Sequence, residues 1–79
     1  MKYLKELGGG ETFKLDNDIW LVTNDFKASG QRLCYNVQNG FARWIKPDNL
    51  IEILPLYTLD SDNNVIPIRQ YEKQDSQIS

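Results

Sequence analysis

The stretch Arg32-Leu33-Cys34-Tyr35-Asn36-Val37-Gln38-Asn39-Gly40-Phe41-Ala42-Arg43-Trp44-Ile45 decides the fold. Aliphatic and aromatic residues alternate with polar ones on both sides of Asn39-Gly40, and Asn-Gly between two such runs is the strongest short-range hairpin signal. The turn allows two registers. A three-residue loop, Gln38-Asn39-Gly40 with Gly40 left-handed in a bulge, sets Val37 opposite Phe41, Tyr35 opposite Arg43 and Leu33 opposite Ile45. A two-residue Asn39-Gly40 turn instead sets Tyr35 opposite Trp44 and Val37 opposite Ala42, and moves Phe41 and Ile45 to the face of Cys34. Because side chains alternate with a period of two, a slip of one residue exchanges whole faces. The bulged loop is the favoured reading. It gathers Leu33, Tyr35, Val37, Phe41 and Ile45 on a core side and leaves Arg32, Cys34, Asn36, Ala42 and Trp44 looking outward.

Working outward, residues 12–15 and 19–23 read as two strands joined by an Asp16-Asn17-Asp18 turn. Residues 24–30 form a longer polar connection in which Phe26 is the only large apolar side chain. After the strands at 31–37 and 41–45, Lys46-Pro47-Asp48-Asn49 interrupts the pairing, because proline has no amide donor for a ladder. Residues 50–54 make the fifth strand, Pro55 ends it, and 56–59 with 65–69 form a terminal hairpin whose Pro67 places the last strand at an edge. Residues 1–7 suit one helical turn or an irregular edge before Gly8-Gly9-Gly10, a clasp at most.

The predicted fold is all-β: a small SH3-like barrel, or a strongly bent antiparallel meander, with a C-terminal hairpin extension. A sandwich needs roughly seven strands and ~100 residues. One small domain spans 1–71, and the polar tail 72–79 frays. The sequence leaves open whether 56–71 completes the barrel or exchanges with a neighbouring copy.

With 79 residues, a chain of this size buries only about 60% of the surface its unfolded form exposes, so a two-domain enzyme is excluded. Nine basic against eleven acidic residues leave a net charge of −2, and nucleic acid is disfavoured for want of cations to release counterions from a phosphate backbone. The absence of His removes the imidazole base and the imidazole metal ligand, and a single Cys makes neither a disulfide nor a thiolate zinc site. Asp60, Asp62 and Asn64 mimic the first ligand positions of a calcium loop, but Val65 stands where that loop needs Gly and Tyr71 where it needs Glu. No enzyme, metal or cofactor is therefore expected. No apolar run approaches the ~18 residues of a membrane span, so a cytoplasmic location without membrane contact is expected.

Under the bulged register Trp20 joins Arg32, Asn36 and Trp44 on the outward face, with Arg43 beside the two tryptophans. Trp and Arg concentrate binding energy at interfaces, which makes Trp20, Arg32, Asn36, Arg43 and Trp44 the candidate binding residues. The competing reading is that a tryptophan in so small a domain is packed.

Gly10-Glu11-Thr12-Phe13, residues 19–23, Arg32-Leu33-Cys34-Tyr35-Asn36-Val37 with Asn39-Gly40, and residues 50–56 with Pro55 follow one another in a characteristic order. In this course the chain resembles a loose class of small proteins encoded by bacteriophages and prophages, mostly of Gram-positive hosts. Their pattern runs G-E-x-F, V-T-D, C-V-N-L-x-T-G and V-x-P-L. The likeness covers roughly residues 8 to 56, and the chain departs from it at Tyr35, Val37, Asn39 and in the extension after Pro55. The resemblance implies a phage accessory protein with a β-barrel fold that acts in the host cytoplasm by contact. Its expected partner is a host protein, a second copy of itself, or both. Nucleotide sequestration, nucleic-acid binding and a structural place in the virion are the alternatives.

Overall fold

The computed structural model describes residues 1–69; the frayed tail expected at 72–79 lies outside the described residues. Among the described residues there are eight strands: β1 (Lys2–Tyr3), β2 (Thr12–Leu15), β3 (Asp18–Phe26), β4 (Arg32–Asn36), β5 (Ala42–Ile45), β6 (Leu50–Leu54), β7 (Leu56–Leu59) and β8 (Val65–Arg69). The first six form one antiparallel sheet in the order β1-β6-β2-β3-β4-β5, and β7 and β8 form a separate two-stranded sheet. The fold is all-β, with the terminal hairpin where the sequence places it.

The sheet is open rather than closed into a barrel, since β1 and β5 stand at its two ends and pair with no common neighbour. What spans the gap is a clasp. The Leu4 amide donates to the Asn49 carbonyl at 2.9 Å and the Lys5 amide to the Pro47 carbonyl at 3.0 Å, so the proline-bearing connector is tied to the N-terminus instead of to a strand. Leu4 and Leu7, three residues apart around a single 3₁₀ turn, are both buried and cover the open side of the core. The opening segment is thus part of the core.

Local chemistry explains the strand ends. Asp16 and Asn17 both have positive φ, at 55° and 69°, which is the backbone of a two-residue type I′ turn and lets β3 begin at Asp18. Opposite Val22, the Gly10 amide donates to the Val22 carbonyl and the Val22 amide to the Glu11 carbonyl, so two residues face one. Gly10, at φ 93°, supplies the left-handed position of that bulge. β3 runs nine residues, further than expected, with a register irregularity between Val22 and Phe26 where it bends across β4.

The bend brings Phe13, Trp20, Val22, Cys34, Ile45 and Ile51 together on one face with Leu4 and Leu7, and Leu15 and Ile53 pack against them. On the opposite face Thr12, although on the outer row, is buried and donates its hydroxyl to the Leu54 carbonyl at 2.6 Å.

Neither expected register holds at the deciding hairpin. Tyr35 lies opposite Ala42, Cys34 opposite Arg43, Leu33 opposite Trp44 and Arg32 opposite Ile45. The loop has four residues, 37–40: the Asn36 amide donates to the Phe41 carbonyl at 2.8 Å and the Gly40 amide to the Asn36 carbonyl at 2.7 Å. The cause is Asn36. Its buried side chain accepts from the Gln38 amide at 2.8 Å and the Asn39 amide at 3.3 Å, which stabilises a wider loop. The faces of β4 are consequently the reverse of the favoured reading: Cys34 and Asn36 point into the core, and Tyr35, Val37 and Phe41 are exposed. The two-residue turn, although two residues too tight, assigns Cys34 and Ile45 to one face and Tyr35 and Trp44 to the other, as observed.

Candidate binding surface

The predicted patch divides between the two faces of the sheet. Trp20 lies opposite Asn36, and Phe26 opposite Arg32, so Trp20, Arg32 and Asn36 do share a face, but it is the core face. Trp20 is only 4% exposed, and Trp44, on the other side of the sheet, is 38% exposed. The shared outward face expected for the two tryptophans is therefore overturned by the one-residue change in register.

Each residue has a local structural role. Asn36 closes the β4–β5 loop. Arg32 forks: one terminal nitrogen donates to the Leu7 carbonyl at 2.9 Å and the other to the Thr23 carbonyl at 2.6 Å, fastening the clasp to β3. Its guanidinium also lies 6.0 Å from the Phe26 ring centroid. Arg43 sits at the exposed rim of the core face, 5.7 Å from the centroid of the Trp20 ring. The Trp20 indole nitrogen has no hydrogen-bond partner among the described residues. A base-stacking platform uniting both arginines with both tryptophans is not assembled.

The structure does bring Arg43 and Trp44 together at one place. With Asp16, Gln31 and Lys46 they line a recess of about 210 Å³ between the β2–β3 turn and β5. That is below the roughly 300–1,000 Å³ of small-molecule pockets. A larger cavity of about 390 Å³, lined by Met1, Lys2, Glu52, Ile53 and Pro55, contains none of the five candidate residues.

The outer face of the sheet is the surface that sequence reasoning missed. Leu21 lies opposite Tyr35, Tyr35 opposite Ala42 and Leu33 opposite Trp44, giving an apolar row across three strands. Tyr35 is 42% exposed, Val37 is also exposed, and the Lys27 ammonium stands 4.8 Å from the centroid of the Trp44 ring. The signal was present in β3, where Ile19, Leu21 and Thr23 alternate with Trp20 and Val22: both faces of this strand are largely apolar, so one of them had to look outward.

Among the described residues no three His, Cys, Asp or Glu side chains converge as a metal site. Cys34 is buried, and burial pushes its thiol up from 9.0 to about 11 against a smaller opposing pull from the Arg32 charge. Such a thiol is an inert packing group at neutral pH. Asp60 is held below the ordinary carboxylate range by the backbone and side-chain amides of Asn64 and the Asp62 amide, because its carboxylate organises the β7–β8 turn. Among the described residues no helix is long and apolar enough to cross a membrane. No protein-family model matches the chain, and no curated protein and no solved structure matches it.

Proposed function

We propose that the chain is a non-catalytic protein-binding module of the phage-accessory kind, which engages a host protein through the outer face of its sheet. The observation that carries this reading is the exposed pair Tyr35 and Trp44, with Leu21 and Leu33 beside them on β3 and β4 as their cross-strand partners. Aromatic side chains on a rigid sheet lose little conformational freedom on binding and dominate interface energetics. The resemblance to small phage proteins over roughly residues 8 to 56 supports a host protein as the partner. The order β6-β2-β3-β4-β5, in which the closing strand returns beside the first strand of the meander, supports an SH3-like relationship for the opened sheet.

The test is capture from host lysate by the full chain and by Tyr35→Ala and Trp44→Ala, followed by reconstitution with the purified captured protein. The expected result is one partner bound by the parent and weakened at least tenfold by each variant, with far-UV circular dichroism unchanged. Equal capture by all three proteins, or loss of the fold in both variants, overturns the reading.

A further inference from the structure

Among the described residues the four outer strand edges differ in how they are guarded. β1 has two residues and carries Lys2; β5 carries Arg43 and runs into Lys46-Pro47; β8 contains Pro67. Short length, charge and proline are the devices by which edge strands avoid pairing with another chain. β7, Leu56-Tyr57-Thr58-Leu59, is short and follows Pro55, but within the strand it carries neither a charge nor a proline.

The ladder of the hairpin shows which groups are free. The Asp60 amide donates to the Asn64 carbonyl at 3.1 Å, so residues 60 and 64 turn their backbone groups toward each other. Leu59 pairs with Val65, Thr58 with Ile66 and Tyr57 with Pro67. Alternation along an antiparallel pair then turns the backbone groups of 59, 65, 57 and 67 outward. Pro67 thus stands where the outer edge of β8 would offer an amide, and it has none. On β7 the outward amides belong to Tyr57 and Leu59, and among the described residues no other strand pairs with that edge.

We propose that the chain dimerises through β7, edge to edge, to build one four-stranded ribbon in the order β8-β7-β7-β8. The occupant of the edge is a second copy, which a twofold axis at Thr58 seats with each outward amide of one β7 against an outward carbonyl of the other. Thr58 faces Thr58 of the second copy across a twofold axis, and Tyr57 and Leu59 each exchange both backbone hydrogen bonds with the second copy's Leu59 and Tyr57. A register centred on Tyr57 would bring Pro55 into the ladder, where it has no donor. β7 carries no charge, so the twofold opposes no like charges, as it would at Lys2 or Arg43. Tyr57 and Leu59 share one side of the hairpin, are 51% and 61% exposed, and become cross-strand neighbours in the ribbon. Two strands alone are marginal in water, whereas four with an apolar face are not. The Pro67 edges lie at both ends of the ribbon and stop it at two copies.

The experiment is solution mass by sedimentation over a concentration series, with circular dichroism as the fold control. The parent chain is expected at twice the monomer mass, and Leu59→Pro and Leu59→Lys at the monomer mass with the sheet spectrum retained. Proline at 59 removes only an outward amide, whereas lysine takes away the leucine that packs against the second copy's Tyr57 and sets two cations diagonally across the axis, so the two variants fail for different reasons. Pro67→Val opens the second edge and is expected to form species larger than the dimer. In the parent, the Tyr57 and Leu59 amides are expected to exchange slowly at high concentration and fast on dilution. A monomeric parent chain, a Leu59→Lys protein that stays dimeric, or dimer loss in Trp44→Ala overturns the proposal. The last outcome would place the contact on the outer sheet face, and monomeric Leu59 variants that still capture the host protein separate the two surfaces.

Discussion

β6, Leu-Ile-Glu-Ile-Leu, and β7, Leu-Tyr-Thr-Leu, follow one another across Pro55 with similar apolar content, yet Ile51 is buried while Leu59 is largely exposed. The difference is in their neighbours. β6 lies between β1 and β2 over a core that includes Phe13 and Leu4, whereas β7 has β8 on one side and no partner on the other among the described residues. Composition makes both segments strands; topology alone decides which of them is stabilised by burial.

The strongest way to break this comparison is truncation on each side of Pro55. Ile51→Ala is expected to cost about 2–5 kcal/mol in urea unfolding, the range for a buried aliphatic side chain. Leu59→Ala, measured on dilute protein, is expected to stay within about 0.5 kcal/mol. Equal costs would show that the hairpin has a core of its own.

Arg32→Ala tests what holds the clasp on the sheet. It leaves the Leu7 and Thr23 carbonyls without their donor and is expected to cost about 2 kcal/mol and to speed hydrogen exchange at the Leu7 amide. Arg32→Lys is not expected to restore both bonds, because an ammonium lacks the planar fork. Unchanged exchange would assign the clasp to Leu4 and Leu7 packing alone.

Cys34 sharpens the contrast through pH. A thiol held at about 11 when folded, against 9.0 ordinarily, favours the native state fully below pH 9 and loses that contribution as pH rises from 9 toward 11. Unfolding should therefore come progressively earlier in urea across that window, and Cys34→Ala should abolish the slope. At pH 8 a thiol reagent is expected to label Cys34 only on unfolding. A small effect is also expected at Gly40, whose φ is 80° and whose added Cβ would meet no atom within 4 Å. Gly40→Ala should cost about 1 kcal/mol from backbone strain alone.

The sequence was a good guide where one residue type had one local meaning. Asp16-Asn17 gave a tight turn, Pro55 ended a strand, Pro67 marked an edge, and Asp60 to Asn64 formed the hairpin loop. It misled where two local solutions had nearly equal energy. Asn39-Gly40 closes two-, three- and four-residue loops alike, and the choice fell to the side chain of Asn36, which is legible only once its position beside the loop amides is known. The resulting register separated Trp44 from Trp20 and set it on the outer face with Tyr35. The burial of Leu4 and Leu7 was equally hidden, because their packing partners are supplied by strands remote in sequence.

The fork of Arg32 has a further consequence, for the order of assembly. β2 to β5 are joined by local turns, but β1 meets β6 only when Lys2 reaches Ile51, across most of the described chain. Contacts of such separation must pay loop-closure entropy before any burial rewards it, and they form slowly. Until they form, the side of the nascent sheet that Leu4 and Leu7 will cover is wet. Arg32 shortens that search: its bond to the Leu7 carbonyl can hold the N-terminal segment near β4 at a separation of 25 residues, about half that of the β1–β6 pairing. Among the described residues Arg32 has no carboxylate partner, and Arg32→Ala is expected to slow refolding by no more than about threefold, the size of effect that halving a loop allows.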